Sequence, residues 1–133
     1  MTDDELIEAA RKARAQAYVP YSGFPVGAAL VAEDGTVYTG CNIENASYGL
    51  ANCAERTAIF KMASEGHRSF TAIAVIADTD GPCSPCGACR QVMSEFGPEA
   101  RVILTNLKGE TRVTSVKELL PGAFRPNDLP SRG

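Results

Sequence analysis

The chain has 133 residues, with 13 Lys and Arg against 16 Asp and Glu for a formal net charge of −3, enough for one domain that buries roughly two thirds of its unfolded surface. The scattered basic residues make no field for a phosphate backbone, so nucleic acid is not an expected partner. No apolar run approaches the roughly 18–20 residues of a membrane span, and "MTDDELIEAARKARAQAY" lacks a signal-peptide layout, so no membrane association and a cytoplasmic location are expected.

Thr2 and Glu5 form a capping box, and Leu6, Ala9, Ala10, Ala13 and Ala17 recur at helical spacing until Pro20. That predicts an opening helix with a small-residue face suited to close packing. After "PYSGFP", two β-prone runs flank Asp34-Gly35, a pair that favours a tight hairpin turn, so strands are expected at 26–32 and 36–43. A second helix fits 52–65, with Ala54, Ala58, Ile59 and Met62 on one face and Gly66 as its stop.

"TAIAVIAD" reads as a buried strand, 86–96 as a third helix and "ARVILTN" as a fourth strand. The connection "LKGE" is too short for a crossover, so "TRVTS" returns antiparallel, and Ser115 with Glu118 starts a last short helix before Pro121-Gly122. The order β-β-α-β-α-β-β implies an α/β fold: a three-layer α/β/α sandwich around a five-stranded mixed sheet. There is no internal repeat and no linker, so 1–133 is expected to be a single domain whose tail, "RPNDLPSRG", is loosely held.

Five cysteines stand at 41, 53, 83, 86 and 89. An odd number in a chain without an export signal argues against a disulfide framework and for metal or catalysis. Cys53 heads one helix, and Cys86 and Cys89 head another, three apart and so on one face of a turn. Thiolates at that spacing suit one tetrahedral zinc ion, and helix N-termini favour the thiolate form.

Ligand number separates the classes, since structural zinc is closed by four protein ligands while catalytic zinc keeps one position for water. Cys41 or Cys83 could supply a fourth thiol, and "CSPCGAC" also offers Cys83 and Cys86 as an alternative C-x-x-C pair. Glu55, in the first turn behind Cys53, is placed either to complement the helix dipole or to carry protons for a metal-activated water. The lone histidine, His67, follows Gly66 in a turn and is assigned no role.

"CAERTA" with "PCGACRQ" resembles the zinc-dependent cytidine deaminases, specifically the small homotetrameric kind with three cysteine ligands. The similarity extends through "YSGFPVGAAL", "GCNIENASYGL", "SPCGACRQVMSEF" and "ELLPGAF", nearly the whole chain in order. The resemblance implies a cytidine deaminase-like fold in which Cys53, Cys86 and Cys89 hold one Zn²⁺ per subunit with water as fourth ligand. It implies attack at C4 of cytosine, with Glu55 carrying a proton to N3 and helping ammonia to leave, so that cytidine and 2′-deoxycytidine become uridine and 2′-deoxyuridine.

Three thiolates on Zn²⁺ sum to −1, which weakens its Lewis acidity, so Arg56 is predicted to donate to a ligand thiolate. By the same resemblance Asn42 and Glu44 hold the ribose, and an ionised Glu44 would repel a 5′-phosphate, favouring the free nucleoside. Phe24 is expected to flank the base, Phe124 to stack on it from a neighbouring subunit, the backbone at Ala54 and Ser84 to read its amide edge, and Tyr48 to close the pocket across an interface. The partners expected are thus a small-molecule nucleoside and three further copies in a homotetramer with shared active sites. A deaminase of a cytosine-containing analogue, a non-catalytic zinc-stabilised binding module and a polynucleotide editor are the competing readings, the last disfavoured by the acidic balance.

Overall fold

The computed structural model describes residues 1–130; the last three residues of the expected loose tail lie outside them. Helix α1 (Asp3–Arg14) opens with both bonds of the Thr2/Glu5 capping box. It is shorter than its alanine pattern suggests. Arg11, Lys12 and Arg14 complement its C-terminal carbonyls, and beyond it the backbone of Tyr18 is taken by the chain near residue 43, with Tyr18 N donating to Asn42 O and Glu44 N to Tyr18 O. Ala17 therefore falls outside the helix.

Strands β1 (Val26–Ala32) and β2 (Val37–Cys41) form the expected hairpin, with Gly35 at φ +91° in the turn. Strand β2 ends two residues early because Ile43 leaves it to bridge Tyr18 and Asn52. Helix α2 (Ala54–Ser64) then leads to β3 (Phe70–Ala77), and α3 (Gly87–Phe96) to β4 (Arg101–Asn106). Strand β5 (Thr111–Ser115) and the four-residue α4 (Val116–Leu119) complete the regular elements, joined by two 3₁₀ turns, Tyr48–Leu50 and Pro126–Asp128.

The sheet order is β2-β1-β3-β4-β5, with β3 and β4 parallel and every other pair antiparallel. Alternation along β3 separates the two faces. Ala72, Ala74 and Ile76 meet Leu6 and Ala10 of α1, whereas Ile73 and Val75 meet Ala58, Ile59 and Met62 of α2 and Met93 of α3. Three layers result, as the order of elements implies.

Register explains where a site can form. Cys41, the end of β2, pairs with Gly27, and Ala77, the end of β3, pairs with Val26, so both strands finish beside the same end of β1. The helices that follow them start at one edge of the sheet, the crevice where α/β folds bind ligands.

Two glycines set how closely the helices approach. A Cβ on Gly27 would lie 2.0 Å from Ala10 O of α1, and one on Gly40 would lie 2.5 Å from Ala54 O and 2.6 Å from Ala58 N of α2. Gly40 thus lets the first turn of α2 rest on the sheet. Behind the hairpin turn, His67 Nδ1 lies 3.2 Å from Glu33 Oε1 and its Nε2 3.4 Å from Asp34 Oδ2, fastening the α2–β3 turn to the β1–β2 turn.

Candidate metal centre and substrate pocket

Cys53 and Cys86 are the N-cap residues of α2 and α3, each in extended backbone and neither spending its side chain on the cap. Cys89 sits one turn into α3 and is fully buried. The three Sγ atoms lie within 4.8 Å of one another and form the one such group among the described residues. Cys83, although buried, stands apart from that group, and so does Cys41. The alternative Cys83/Cys86 pairing and a closed four-thiol site therefore find no support in the geometry.

The fit to zinc can be tested on the sulfur spacing. Tetrahedral zinc with Zn–S bonds of about 2.3 Å holds its sulfurs about 3.8 Å apart, and Cys53 Sγ is 3.7 Å from Cys86 Sγ, with Cys86 Sγ 3.3 Å from Cys89 Sγ. The donor set suits the same ion, since soft thiolates select zinc among the common divalent metals. Three ligands rather than four leave a position for water.

The charge around the sulfurs is managed locally. Arg56 Nη2 donates to Cys53 Sγ at 3.3 Å, while its Nε is buried with no hydrogen-bond partner among the described residues. The Cys53 thiol is drawn down to about 5, first by a hydrogen bond from Cys89 and then by Arg56. Cys89 is pushed up, first by its hydrogen bond to Cys53 and then by burial.

Glu55 is only 4% exposed although it occupies the first turn of a helix. A carboxylate serving only the helix dipole would face water. This one is buried beside the sulfurs, and its carboxyl is pushed up, chiefly by burial and then by the Cys53 thiolate, against a lowering hydrogen bond from its own backbone. A carboxyl poised to hold a proton next to a metal is the group that acid–base chemistry needs.

A cavity of about 210 Å³ is lined by Phe24, Asn42, Ala54, Glu55, Ser84 and the sulfur-bearing Cys53, Cys83 and Cys86. It is smaller than the roughly 300–1,000 Å³ of complete ligand pockets. Glu44 and Tyr48 line a different hollow with Tyr21 and Ser22, and Phe124 lines neither. Of the expected substrate contacts, the fold brings Phe24, Asn42, Ala54 and Ser84 into one cavity with the Glu55 carboxyl and leaves Glu44, Tyr48 and Phe124 outside it.

The polar groups expected to meet a ribose also build the loops that carry them. Asn42 Oδ1 accepts from Val26 N at 2.9 Å and its Nδ2 donates to Phe24 O at 2.9 Å, which sets the backbone of Phe24. Glu44 accepts from Tyr21 N and Ser22 N, both at 3.0 Å, and from the Ser22 hydroxyl. Hydrogen bonds from Ser22 and then Tyr21 hold the Glu44 carboxyl below its usual range. Each side chain keeps unused capacity, one N–H on Asn42 and one lone-pair site on Glu44.

The model for the cytidine and deoxycytidylate deaminase zinc-binding region matches residues 1–105. The chain belongs to that family. It is 64% identical over 130 residues to the cytidine deaminase of Sporosarcina psychrophila, covering 97% of this chain and 96% of the relative. It is 61% identical over 125 residues to that of Halalkalibacterium halodurans, covering 93% and 95%. Among solved structures, the crystal structure of cytidine deaminase from Burkholderia pseudomallei superposes with a TM-score of 0.91 at 61% identity, over 93% of this chain and 100% of that one.

Several residues that shape this deaminase-family site carry no obvious signal in the sequence. Gly40 seats α2, and Asn106, completely buried, holds the loop before the cysteines through bonds to Thr79 O and Asp80 O. Arg90 and Gln91 lie inside the quoted "CGACRQ" segment, but only the fold shows what they hold.

Proposed function

We propose that the protein is a zinc-dependent hydrolase that converts cytidine and 2′-deoxycytidine, with water, to uridine and 2′-deoxyuridine and ammonia, in pyrimidine salvage. Zinc-dependent deamination of cytidine is the function of the family. The observation that carries the reading is the buried Glu55 sharing one cavity with two of three clustered sulfurs. A structural zinc site has no use for that carboxyl.

In this reading Cys53, Cys86 and Cys89 hold the zinc, which when bound supplies a water acidic enough to act as a nucleophile near neutral pH. Arg56 returns positive charge to the three thiolates. Glu55 accepts a proton and delivers it to N3 of the base, then helps protonate the departing amine, a role suited to a carboxyl whose affinity for protons burial has raised. Phe24 flanks the ring, the backbone at Ala54 and Ser84 reads its amide edge, and the remaining capacity of Asn42 and Glu44 meets the sugar hydroxyls. The negative charge on Glu44 disfavours a 5′-phosphate.

Residues 1–133 would act as one catalytic domain within a homotetramer whose active sites are shared between subunits. The small cavity and the exposure of Tyr48 (75%) and Phe124 (58%) support that assembly, because each would complete a neighbour's pocket. A cytoplasmic setting is supported by five cysteines with no disulfide, since zinc-binding thiols persist where thiols stay reduced. No described helix is long and apolar enough to cross a membrane.

The test follows the ultraviolet absorbance change as cytidine becomes uridine, with zinc-loaded protein beside zinc-loaded Glu55→Gln. Conversion by the unmodified protein alone is the expected result, with a loss in the variant of about 10²–10⁴-fold or more. No conversion by either at full zinc occupancy would overturn the proposed substrate.

A further inference from the structure

Three consecutive residues of α3 face three different tasks. Cys89 belongs to the sulfur cluster, Arg90 and Gln91 do not, and from the first turns of this helix Arg90 reaches the end of α4 and Gln91 the chain beyond it. Arg90 Nε donates to Pro85 O at 3.0 Å and Nη2 to Ser84 Oγ at 3.0 Å, so the guanidinium grips the two residues immediately before Cys86. Its Nη1 donates to Leu119 O at 2.9 Å, at the end of α4. Gln91 Nε2 donates to Phe124 O at 2.9 Å.

One turn further along, the Ser94 carbonyl and hydroxyl both accept from Arg125 Nη1. The stretch 119–125 is thus fixed to α3 at its start, near its end and at its end. Between those points it turns through Pro121 and Gly122, the latter at φ +68°, and presents the exposed ring of Phe124. A planar fork that meets three acceptors on two separate segments is a geometry that arginine provides and lysine does not.

We propose that Arg90 and Gln91 are positioning residues that fasten the segment presenting Phe124 to the helix bearing the metal ligands. Gln91 fixes the backbone from which Phe124 reaches the nucleoside, and Arg90 fixes the 84–86 loop and the root of the same segment. The proposal rests on the reading that Phe124 contacts substrate. Its consequence is a division of labour: loss of the Gln91 contact loosens nucleoside binding without touching the metal, whereas loss of the Arg90 fork disturbs both.

The experiment measures kcat, KM for cytidine and zinc content for Gln91→Met, Phe124→Ala, the double variant and Arg90→Lys, each zinc-loaded. Gln91→Met is expected to raise KM about fivefold, the size of one lost neutral hydrogen bond, with kcat and zinc content kept. In the Phe124→Ala background the same change should add nothing, because Gln91 acts through that ring. Arg90→Lys should speed zinc loss to a chelator as well as raise KM.

An unchanged KM in Gln91→Met, while Phe124→Ala raises it, overturns the clamp and leaves the reading of Phe124 intact. An unchanged KM in Phe124→Ala overturns the substrate role of Phe124 and the clamp's purpose with it. Full additivity in the double variant also overturns the clamp, since a merely structural glutamine would act independently of the ring. If Arg90→Lys fails to fold, the Gln91 and Phe124 cycle still decides.

Discussion

The pole of the molecule where α2 and α3 begin and the loops that surround it are built on opposite principles. At the pole the three sulfurs and Arg56 contact one another within a single chain, and Glu55 beside them is almost wholly removed from water. In the loops, Tyr21, Phe24, Ile43, Tyr48, Leu50 and Phe124 are all exposed. The backbones of Tyr21, Phe24 and Phe124 are pinned, through Glu44, Asn42 and Gln91, while their side chains stand largely open to solvent. On the proposed function, the contrast teaches that chemistry and recognition are completed at different levels: the reacting groups by one fold, the walls around the substrate by its assembly.

The contrast is most severely tested at the cysteines. Cys89→Ser should abolish both zinc binding and activity, because it removes one of three ligands and leaves a buried hydroxyl among thiolates. Cys83→Ser should keep zinc at full occupancy, since Cys83 stands outside the cluster. Metal analysis of the two purified variants reads the result, and zinc lost equally from both would refute a self-contained three-thiol pole.

A smaller effect is expected where the pole meets the sheet. Gly40→Ala places a methyl against the backbone of Ala54 and Ala58, which must shift. Overpacking of this kind costs about 1–3 kcal/mol, and because the displaced turn carries Glu55 and follows Cys53, kcat should fall along with stability in a urea titration. Stability lost without any change in kcat would mean that the sheet supports the pole without aligning it.

In the loops the pattern should reverse. Tyr48→Ala removes a ring that only partly packs, at 5.7 Å between centroids, on Tyr21, so zinc content should be unchanged and chain stability should move by no more than about 0.5 kcal/mol. The loss should appear instead in KM and in the subunit number measured by sedimentation. A variant that keeps both would remove Tyr48 from the proposed subunit interface.

The smallest effect lies furthest from either region, at the turn closed by His67. The Glu33 carboxyl is lowered from 4.5 to about 2, first by a hydrogen bond from its own backbone and then by His67 and Ser69. A carboxylate with a depressed folded pKa adds stability above about 4.5 that is lost as pH falls toward about 2. Glu33→Gln should therefore flatten the dependence of melting temperature on pH in that window and leave kcat at neutral pH as it was. An identical slope in the variant would show that the turn contributes nothing to acid stability.

Much of this was legible in residue order. The capping box of α1, Asp34-Gly35 between β1 and β2, the short link that forces β5 antiparallel and the cysteine spacing are all local patterns, and local sterics and hydrogen bonding decide them. The ends of α1 and β2 were not legible, because the alanine run and the β-prone run both continue past the point where Tyr18, Ile43 and Asn52 take each other's backbone groups. The tail is only partly legible: its composition suggests a free end, yet Arg125 is pinned to Ser94.

By itself the sequence determined most element types and placed Cys53, Glu55, Cys86 and Cys89 at the starts of two helices, since caps and the C-x-x-C spacing depend on residues a few positions apart. Only the tertiary structure decided that β2 and β3, whose ends Cys41 and Ala77 are far apart in the chain, finish beside the same end of β1 and so bring those groups together. It also decided that Cys83 stays out of the cluster, that Gly40 admits α2, and that Arg90 and Gln91 hold the segment of Phe124. These are contacts between distant parts of the chain, and their geometry comes from sheet register and helix packing, which no local pattern encodes.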